Sequence, residues 1–196
     1  VHMGKNEGQF TADVGGKLLF LSRVAPIKGV TQLLEAWSRL TPRFPNWELR
    51  IVGPVDASIE RDVKALCKSI NSVVLVGPIY HEERWSEYRN AAGFILPTLG
   101  EGLPTVLLEA AAHKLPVITT KEANFDELYE SGGSILTSPN PDDIETTLAE
   151  FFSLAGKDRK AIGLRGASLV EANFGWSKIA SRWIAIYEEL RTRERR

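Results

Sequence analysis

A chain of 196 residues with 43% hydrophobic and 25% charged residues can bury a sizeable core and has the balance of a soluble globular domain. Its net charge of −1 argues against general nucleic-acid binding, which needs a basic excess. A single cysteine, Cys67, excludes an internal disulfide and suits a reducing, cytoplasmic setting, and no apolar run approaches the roughly 20 residues that span a bilayer. Residues 1–16 are polar, glycine-containing and without a sustained period. They read as a tag remnant, Val1-His2-Met3-Gly4, followed by a linker, and no signal peptide is visible.

From residue 17 onwards apolar runs alternate with helical periods. Lys17–Ser22 reads as a first strand covered on both faces, and Arg23–Gly29 as the loop after it. Val30, Leu33, Leu34 and Trp37 recur at the spacing of an amphipathic helix, which Pro42 and Pro45 close. Glu48–Val52 is a second strand stopped by Gly53-Pro54. A helix over 59–70 turns Val63, Leu66, Cys67 and Ile70 inward, so Cys67 reads as a core thiol. Val73–Val76 is a third strand stopped by Gly77-Pro78, and a helix over 82–91 points Trp85 and Tyr88 to the core. Phe94–Pro97 is a fourth strand, Pro116–Thr120 a fifth and Ser134–Leu136 the last, with a short helical turn near Phe125–Tyr129. Pro141 opens a helix through Leu154, and helices over about 158–172 and 177–191 complete the chain.

Strands alternating with helices through short Gly/Pro-rich loops predict right-handed βαβ units. The expected fold is α/β: a Rossmann-like, doubly wound parallel sheet of about six strands with helices on both faces. Such a sheet binds its ligand outside the carboxyl ends of its strands. Arg23, Lys28, Gly53, Gly77, Gly100 and Glu101 all follow predicted strand ends and therefore converge on one edge.

The densest stretch on that edge is Gly100-Glu101-Gly102-Leu103-Pro104-Thr105-Val106-Leu107-Leu108-Glu109-Ala110. Its glycines let the backbone approach a ligand closely, and a helix N-terminus presents free N–H groups and partial positive charge to a phosphate. Pro104 is expected in the first helical turn. With a start near Leu103, Glu109 lies roughly 9 Å along the helix axis, with Thr105 one turn before it on the same face. One ligand can then meet Glu101, backbone amides and Glu109 in succession, as a nucleotide-diphosphate sugar would. As bare spacing the stretch is equally a strand-to-helix turn with two solvated glutamates. Arg23 and Lys28 add two cations on the same edge, one able to grip a phosphate bidentately and one a mobile point charge; alone, each is equally a solvated loop cation.

Several patterns are missing. The chain contains no Asp-x-Asp, no phosphate-binding Gly-x-x-x-x-Gly-Lys-Ser/Thr and no Gly-x-Gly-x-x-Gly. Three histidines, one in the presumed tag, and one cysteine do not make a zinc site. No nucleophilic triad is evident; His81 reads as a surface-loop histidine and His113 as structural.

The order Arg23…Lys28-Gly29, Val52-Gly53, Val76-Gly77, Glu101-Gly102…Glu109-Ala110 and Pro116-Val117 resembles the C-terminal domain of family 4 retaining glycosyltransferases, whose GT-B fold pairs two Rossmann-like domains. The similarity runs from about Lys17 to Ser138. It implies that Arg23 and Lys28 contact the donor diphosphate and stabilise the departing nucleotide, and that Glu101 lies against the donor sugar. Glu109 would accept hydrogen bonds from the ribose, and the segment Gly102-Leu103-Pro104-Thr105, with Gly100 and Gly53 on the same edge, would meet the phosphates. Pro78-Ile79-Tyr80 would meet the base, largely through main chain. The implied substrate is a nucleotide-sugar donor, with no cofactor and no metal, and the anomeric configuration is retained.

The sequence departs from the family twice: Ser22 and Lys114 stand where Gly is usual, and Lys114 puts a charge at a tight turn. An enzyme of this class needs an N-terminal acceptor-binding domain as partner. Residues 17–196 are therefore expected to be a donor-binding half, inactive alone. In the last helix Ile179, Trp183, Ile186, Tyr187 and Leu190 form an apolar stripe, expected to pack on its own domain although the family's terminal helix often crosses to the other one. The basic tail Arg191–Arg196 suggests peripheral contact with an anionic membrane face. Two alternatives stay open: a GT-B-like nucleotide-sugar epimerase, and a non-catalytic nucleotide-binding or assembly domain.

Overall fold

The computed structural model describes residues 15–102 and 104–193. The expected tag remnant and linker lie, up to residue 14, outside the described residues, and the first strand opens just inside the expected linker. The elements are β1 Gly16–Leu21, α1 Val30–Leu40, β2 Trp47–Val52, α2 Glu60–Ser69, β3 Val73–Gly77, α3 Glu83–Asn90, β4 Gly93–Leu96, α4 Thr105–Ala112, β5 Val117–Thr119, α5 Asp126–Glu130, β6 Ser134–Leu136, α6 Pro141–Ser153, α7 Gly156–Phe174 and α8 Trp176–Arg193. All strand pairings are parallel, in the order β3-β2-β1-β4-β5-β6.

The near-continuous apolar runs of the sequence are the central strands. β4 is buried along its whole length, as are Leu18, Leu19 and Phe20 of β1. α1 packs with α2 and α6, whereas α4 packs with α7. Right-handed crossovers put these two sets on opposite faces, because the chain turns back across the sheet on passing from β3 to β4. On the α1 side Trp47 stacks on Phe152 at 4.1 Å between ring centroids, with Trp37 edge-on to the same ring at 5.6 Å. α6 starts at Pro141 as expected, its Asn140 side chain accepting the Asp143 N–H at 2.9 Å. The far end of α6 is capped by Arg159, whose guanidinium reaches the Leu154 carbonyl at 2.9 Å. Cys67 is a buried core thiol, its pKa pushed up by burial to about 11.

Two expectations need correction. α4 begins at Thr105, so Pro104 occupies the extended position before the helix rather than its first turn. Glu109 is then only about 6 Å along the axis from the helix start. The apolar stripe of α8 does not pack on its own domain: Ile179 is half-buried, but Trp183, Ile186, Tyr187 and Leu190 are 46–64% exposed. Both sheet faces are already covered when the chain reaches α8, which packs on α7. No helix among the described residues is long and apolar enough to cross a membrane.

The turn between α4 and β5 has the geometry that makes glycine usual there. Lys114 adopts φ 62°, a left-handed conformation. α7 presses against the same turn through Gly163, where a Cβ would lie 1.9 Å from the Lys114 carbonyl oxygen. Two opposite outcomes follow in urea denaturation. Gly163→Ala is expected to lower stability by about 2–3 kcal/mol through overpacking against backbone. Lys114→Gly is expected to raise it by about 0.5–1 kcal/mol, the relief of left-handed strain exceeding the added freedom of the unfolded chain.

Candidate functional site

The strand order reverses between β1 and β4, and the loops that leave these two strands lie side by side at their carboxyl ends. In the first, Pro26–Lys28 form a single 3₁₀ turn ending at Gly29. The Leu99 N–H of the second donates to the Ile27 carbonyl of the first at 2.8 Å. Thr98, fully buried, places its hydroxyl 3.0 Å from the same carbonyl and accepts the Gly100 N–H at 3.3 Å. Gly29 makes this approach feasible: it has φ 69°, and a Cβ there would lie 2.0 Å from the Pro97 carbonyl oxygen.

Across the joined loops Lys28 Nζ forms an ion pair with Glu101 Oε1, both side chains largely buried at 16% and 13% exposure. The two residues expected to serve phosphate and sugar thus face one another directly. The main chain of Glu101 is held as well. Its N–H donates to the Glu122 carbonyl at 2.9 Å, and its carbonyl accepts from the Asn124 side-chain amide. Asn124 sits after β5 at φ 53°, a conformation asparagine tolerates. Neither Thr98 nor Asn124 stood out in the sequence. An Asn five residues beyond the apolar strand Val117–Thr119 was the available signal, because Asn commonly supplies left-handed turn positions.

Glu109 lies on α4 facing α3. The Tyr88 hydroxyl donates to its Oε2 at 2.9 Å, and Arg84 Nη2 lies 3.4 Å from its Oε1. The Tyr88 ring is fully buried, stacked on His113 at 5.1 Å and on Phe94 at 5.9 Å. Its phenol is pushed far above the usual tyrosine range, first by burial and then by the neighbouring Glu109 carboxylate, so it stays protonated and remains a donor. Arg84 lies over the Trp85 ring at 4.1 Å. His113 is structural, as expected: its Nδ1 is 2.8 Å from the Glu109 carbonyl and its ring packs against both Trp85 and Tyr88, which also touch one another. Reading the sequence for core residues missed this pairing of Tyr88 and Arg84 with Glu109. The signal was their i, i+4 spacing, which places both on one side of α3.

The other expected residues that are described follow strand ends on the same edge. Arg23 is exposed and makes no hydrogen bond to another described residue; its positive charge adds slightly to the lowering of the Asp56 pKa, which comes mainly from the Ser58 N–H. Gly53 is required by the fold itself, since a Cβ would lie 1.8 Å from the Ser22 carbonyl oxygen. Pro78 and Tyr80 are exposed and Ile79 packs partly on the core. Gly100 is half-buried and Gly102 exposed, and a Cβ on Gly102 would meet nothing within 4 Å. Leu103 lies outside the described residues. Pro104 is buried and Thr105 exposed at the head of α4. There the Thr105 and Val106 amides have no acceptor among the described residues, while the Leu107 N–H turns back to the Pro104 carbonyl at 3.0 Å.

A doubly wound parallel sheet whose strand order reverses between β1 and β4 is the form of one half of a GT-B glycosyltransferase. The chain belongs to the group 1 glycosyl transferases, whose family model matches residues 15–153. It is 32% identical over 189 residues to an exopolysaccharide phosphotransferase of Streptomyces coelicolor, covering 91% of this chain and 19% of that protein. It is 30% identical over 183 residues to the D-inositol 3-phosphate glycosyltransferase of Streptosporangium roseum, covering 87% of this chain and 41% of the relative. The chain thus spans less than half the length of either. Among solved structures it superposes on the C-terminal domain of a glycosyl transferase group 1 family protein from Francisella tularensis with a TM-score of 0.74. That match has 22% identity and covers 83% of this chain and 89% of that one. The sheet, its helices and the expected half of a GT-B fold are therefore as the residues implied.

The Lys28–Glu101 pair is open to a double-mutant cycle. Lys28→Met strands a largely buried carboxylate and should lower stability by about 1–3 kcal/mol. Adding Glu101→Gln to that variant should recover most of the loss in the same urea titration. Strictly additive losses would mean that the two charges do not interact.

Proposed function

We propose that this domain binds the nucleotide-diphosphate-sugar donor of a retaining, metal-independent glycosyltransferase, in the crevice between the β1 and β4 loops. One observation carries this reading: Lys28 and Glu101, 73 residues apart, are brought into contact at the switch point, a few residues before the N-terminus of α4. Family membership supports it.

A donor diphosphate entering the crevice competes with Glu101 for Lys28. Its oxygens take the lysine, Arg23 and the α4 amides, and Glu101 is released to accept hydrogen bonds from the sugar hydroxyls. The exchange replaces the lysine's partner by phosphate and gives the Glu101 carboxylate hydroxyl donors in place of the ammonium. When the glycosidic bond to the β-phosphate breaks, negative charge grows on the leaving phosphate, where Lys28, Arg23 and the amides stabilise it. The leaving phosphate helps to deprotonate the acceptor on the same face of the sugar, which retains configuration without an enzyme nucleophile. Glu109 takes the ribose, and Pro78-Ile79-Tyr80 meets the base.

An N-terminal domain supplies the acceptor. The exposed apolar face of α8 suits packing on such a partner, and the basic end after Arg191 suits peripheral contact of a cytoplasmic enzyme with an anionic membrane surface.

Calorimetric titration with UDP, GDP and ADP tests this. At least one should bind, and Lys28→Ala should weaken it by about tenfold or more. Binding of none of the three would favour a purely structural domain, and binding indifferent to Lys28→Ala would remove the phosphate assignment. Residues 17–196 alone are expected to transfer no sugar.

The two glutamates should separate. Glu109→Ala is expected to weaken free nucleoside diphosphate by about tenfold, whereas Glu101→Ala should spare it and weaken only the intact sugar donor. Equal losses for both ligands in both variants would refute that division.

A further inference from the structure

A glutamate on a helix surface samples several rotamers, and each hydroxyl it binds must then bear the entropy of freezing it. Glu109 is not left in that condition. Its Oε2 accepts the Tyr88 hydroxyl at 2.9 Å, its Oε1 lies 3.4 Å from Arg84 Nη2, and its side chain is 16% exposed. Tyr88 is itself firmly held: it is 0% exposed and packed on Phe94 and His113, and among the described residues its hydroxyl bonds only Glu109. Arg84 is steadied from below by the Trp85 ring at 4.1 Å. A carboxylate has about four lone-pair sites. Tyr88 takes one and Arg84 lies beside another, so about two remain without a partner among the described residues, the number a vicinal diol uses.

We propose that Tyr88, with Arg84 on the opposite oxygen, is a positioning residue for ribose recognition, holding Glu109 in the single rotamer that presents its outer lone pairs to the 2′ and 3′ hydroxyls of a ribonucleoside diphosphate. The proposal rests on the assignment of Glu109 to the ribose. Glu109 makes the contact, and Tyr88 acts only through it. The ligand class follows from the geometry: ribose is preferred over its dideoxy form, and a diphosphate without a nucleoside is indifferent to Tyr88.

The test is calorimetric titration of UDP, GDP, ADP, their 2′,3′-dideoxy forms and inorganic pyrophosphate into wild type, Tyr88→Phe, Glu109→Ala and the double variant. Tyr88→Phe keeps the buried ring and is expected to hold its melting temperature within a few degrees. It should lose roughly tenfold affinity for the ribonucleoside diphosphate, lose none for the dideoxy form or pyrophosphate, and add nothing in the Glu109→Ala background. Wild-type affinity in Tyr88→Phe alongside a loss in Glu109→Ala would overturn the positioning role and leave the ribose assignment intact. An equal loss for pyrophosphate, or a loss that persists without Glu109, would mark Tyr88 as merely structural and overturn the proposal. If Glu109→Ala binds like wild type, or wild type binds no nucleotide, the ribose assignment itself falls and takes this proposal with it. Should Tyr88→Phe fail to fold, Arg84→Met is read instead: a smaller, ribose-specific loss that vanishes in Glu109→Ala supports the pair, and no loss overturns it.

Discussion

A lysine and a glutamate 73 residues apart share a largely buried ion pair because β1 and β4 are neighbours in a sheet whose strand order reverses between them. Parallel strands with right-handed crossovers leave a crevice at that reversal, and every loop entering it must place polar backbone where solvent is scarce. The chain meets this demand by joining the two loops to one another. Ile27 gives its carbonyl to both Leu99 and Thr98, Gly29 lies flat against Pro97, and Lys28 and Glu101 compensate each other's charge. An unpaired charge so far from solvent would be strongly destabilising, and the pairing makes the arrangement tolerable. It also leaves a cation and a carboxylate near the N-terminus of α4, the groups on which the proposed donor site rests.

The second glutamate is governed by a different physics. Glu109 is flanked by a phenol that burial keeps protonated and by an arginine laid on an indole ring, so its restraint comes from α3 and not from the β1 loop. Two carboxylates eight residues apart thus stand in unlike surroundings, one against an ammonium and one against a buried hydroxyl. That difference matches the separate roles proposed for them.

Beyond the crevice the domain is closed by its last helices. α7 reaches the turn after α4 so closely that only glycine fits at position 163, while Lys114 accepts a left-handed backbone at the same place. α8 then runs on with its aromatic and aliphatic residues in solvent, since no sheet face remains for them. Its contact with α7 leaves most of its apolar stripe uncovered among the described residues.

Periodicity sufficed for the elements. Continuous apolar runs marked the buried parallel strands, i, i+3, i+4 spacing marked the helices, and Gly-Pro steps marked the strand ends, because these signals arise between residues close along the chain. The convergence of Arg23, Lys28, Gly100 and Glu101 on one edge followed from alternation alone. Which side chains would touch did not follow. The Lys28–Glu101 pair, the clamp of Asn124 on Glu101 and the hydroxyl of Tyr88 on Glu109 each join residues distant in sequence, and each depends on which strand lies beside which. The same limit explains α4 and α8. A proline near a helix start does not reveal on which side of the boundary it sits, and an apolar stripe does not reveal what covers it. A helical period records that a face is apolar; only the packed tertiary structure decides what that face meets.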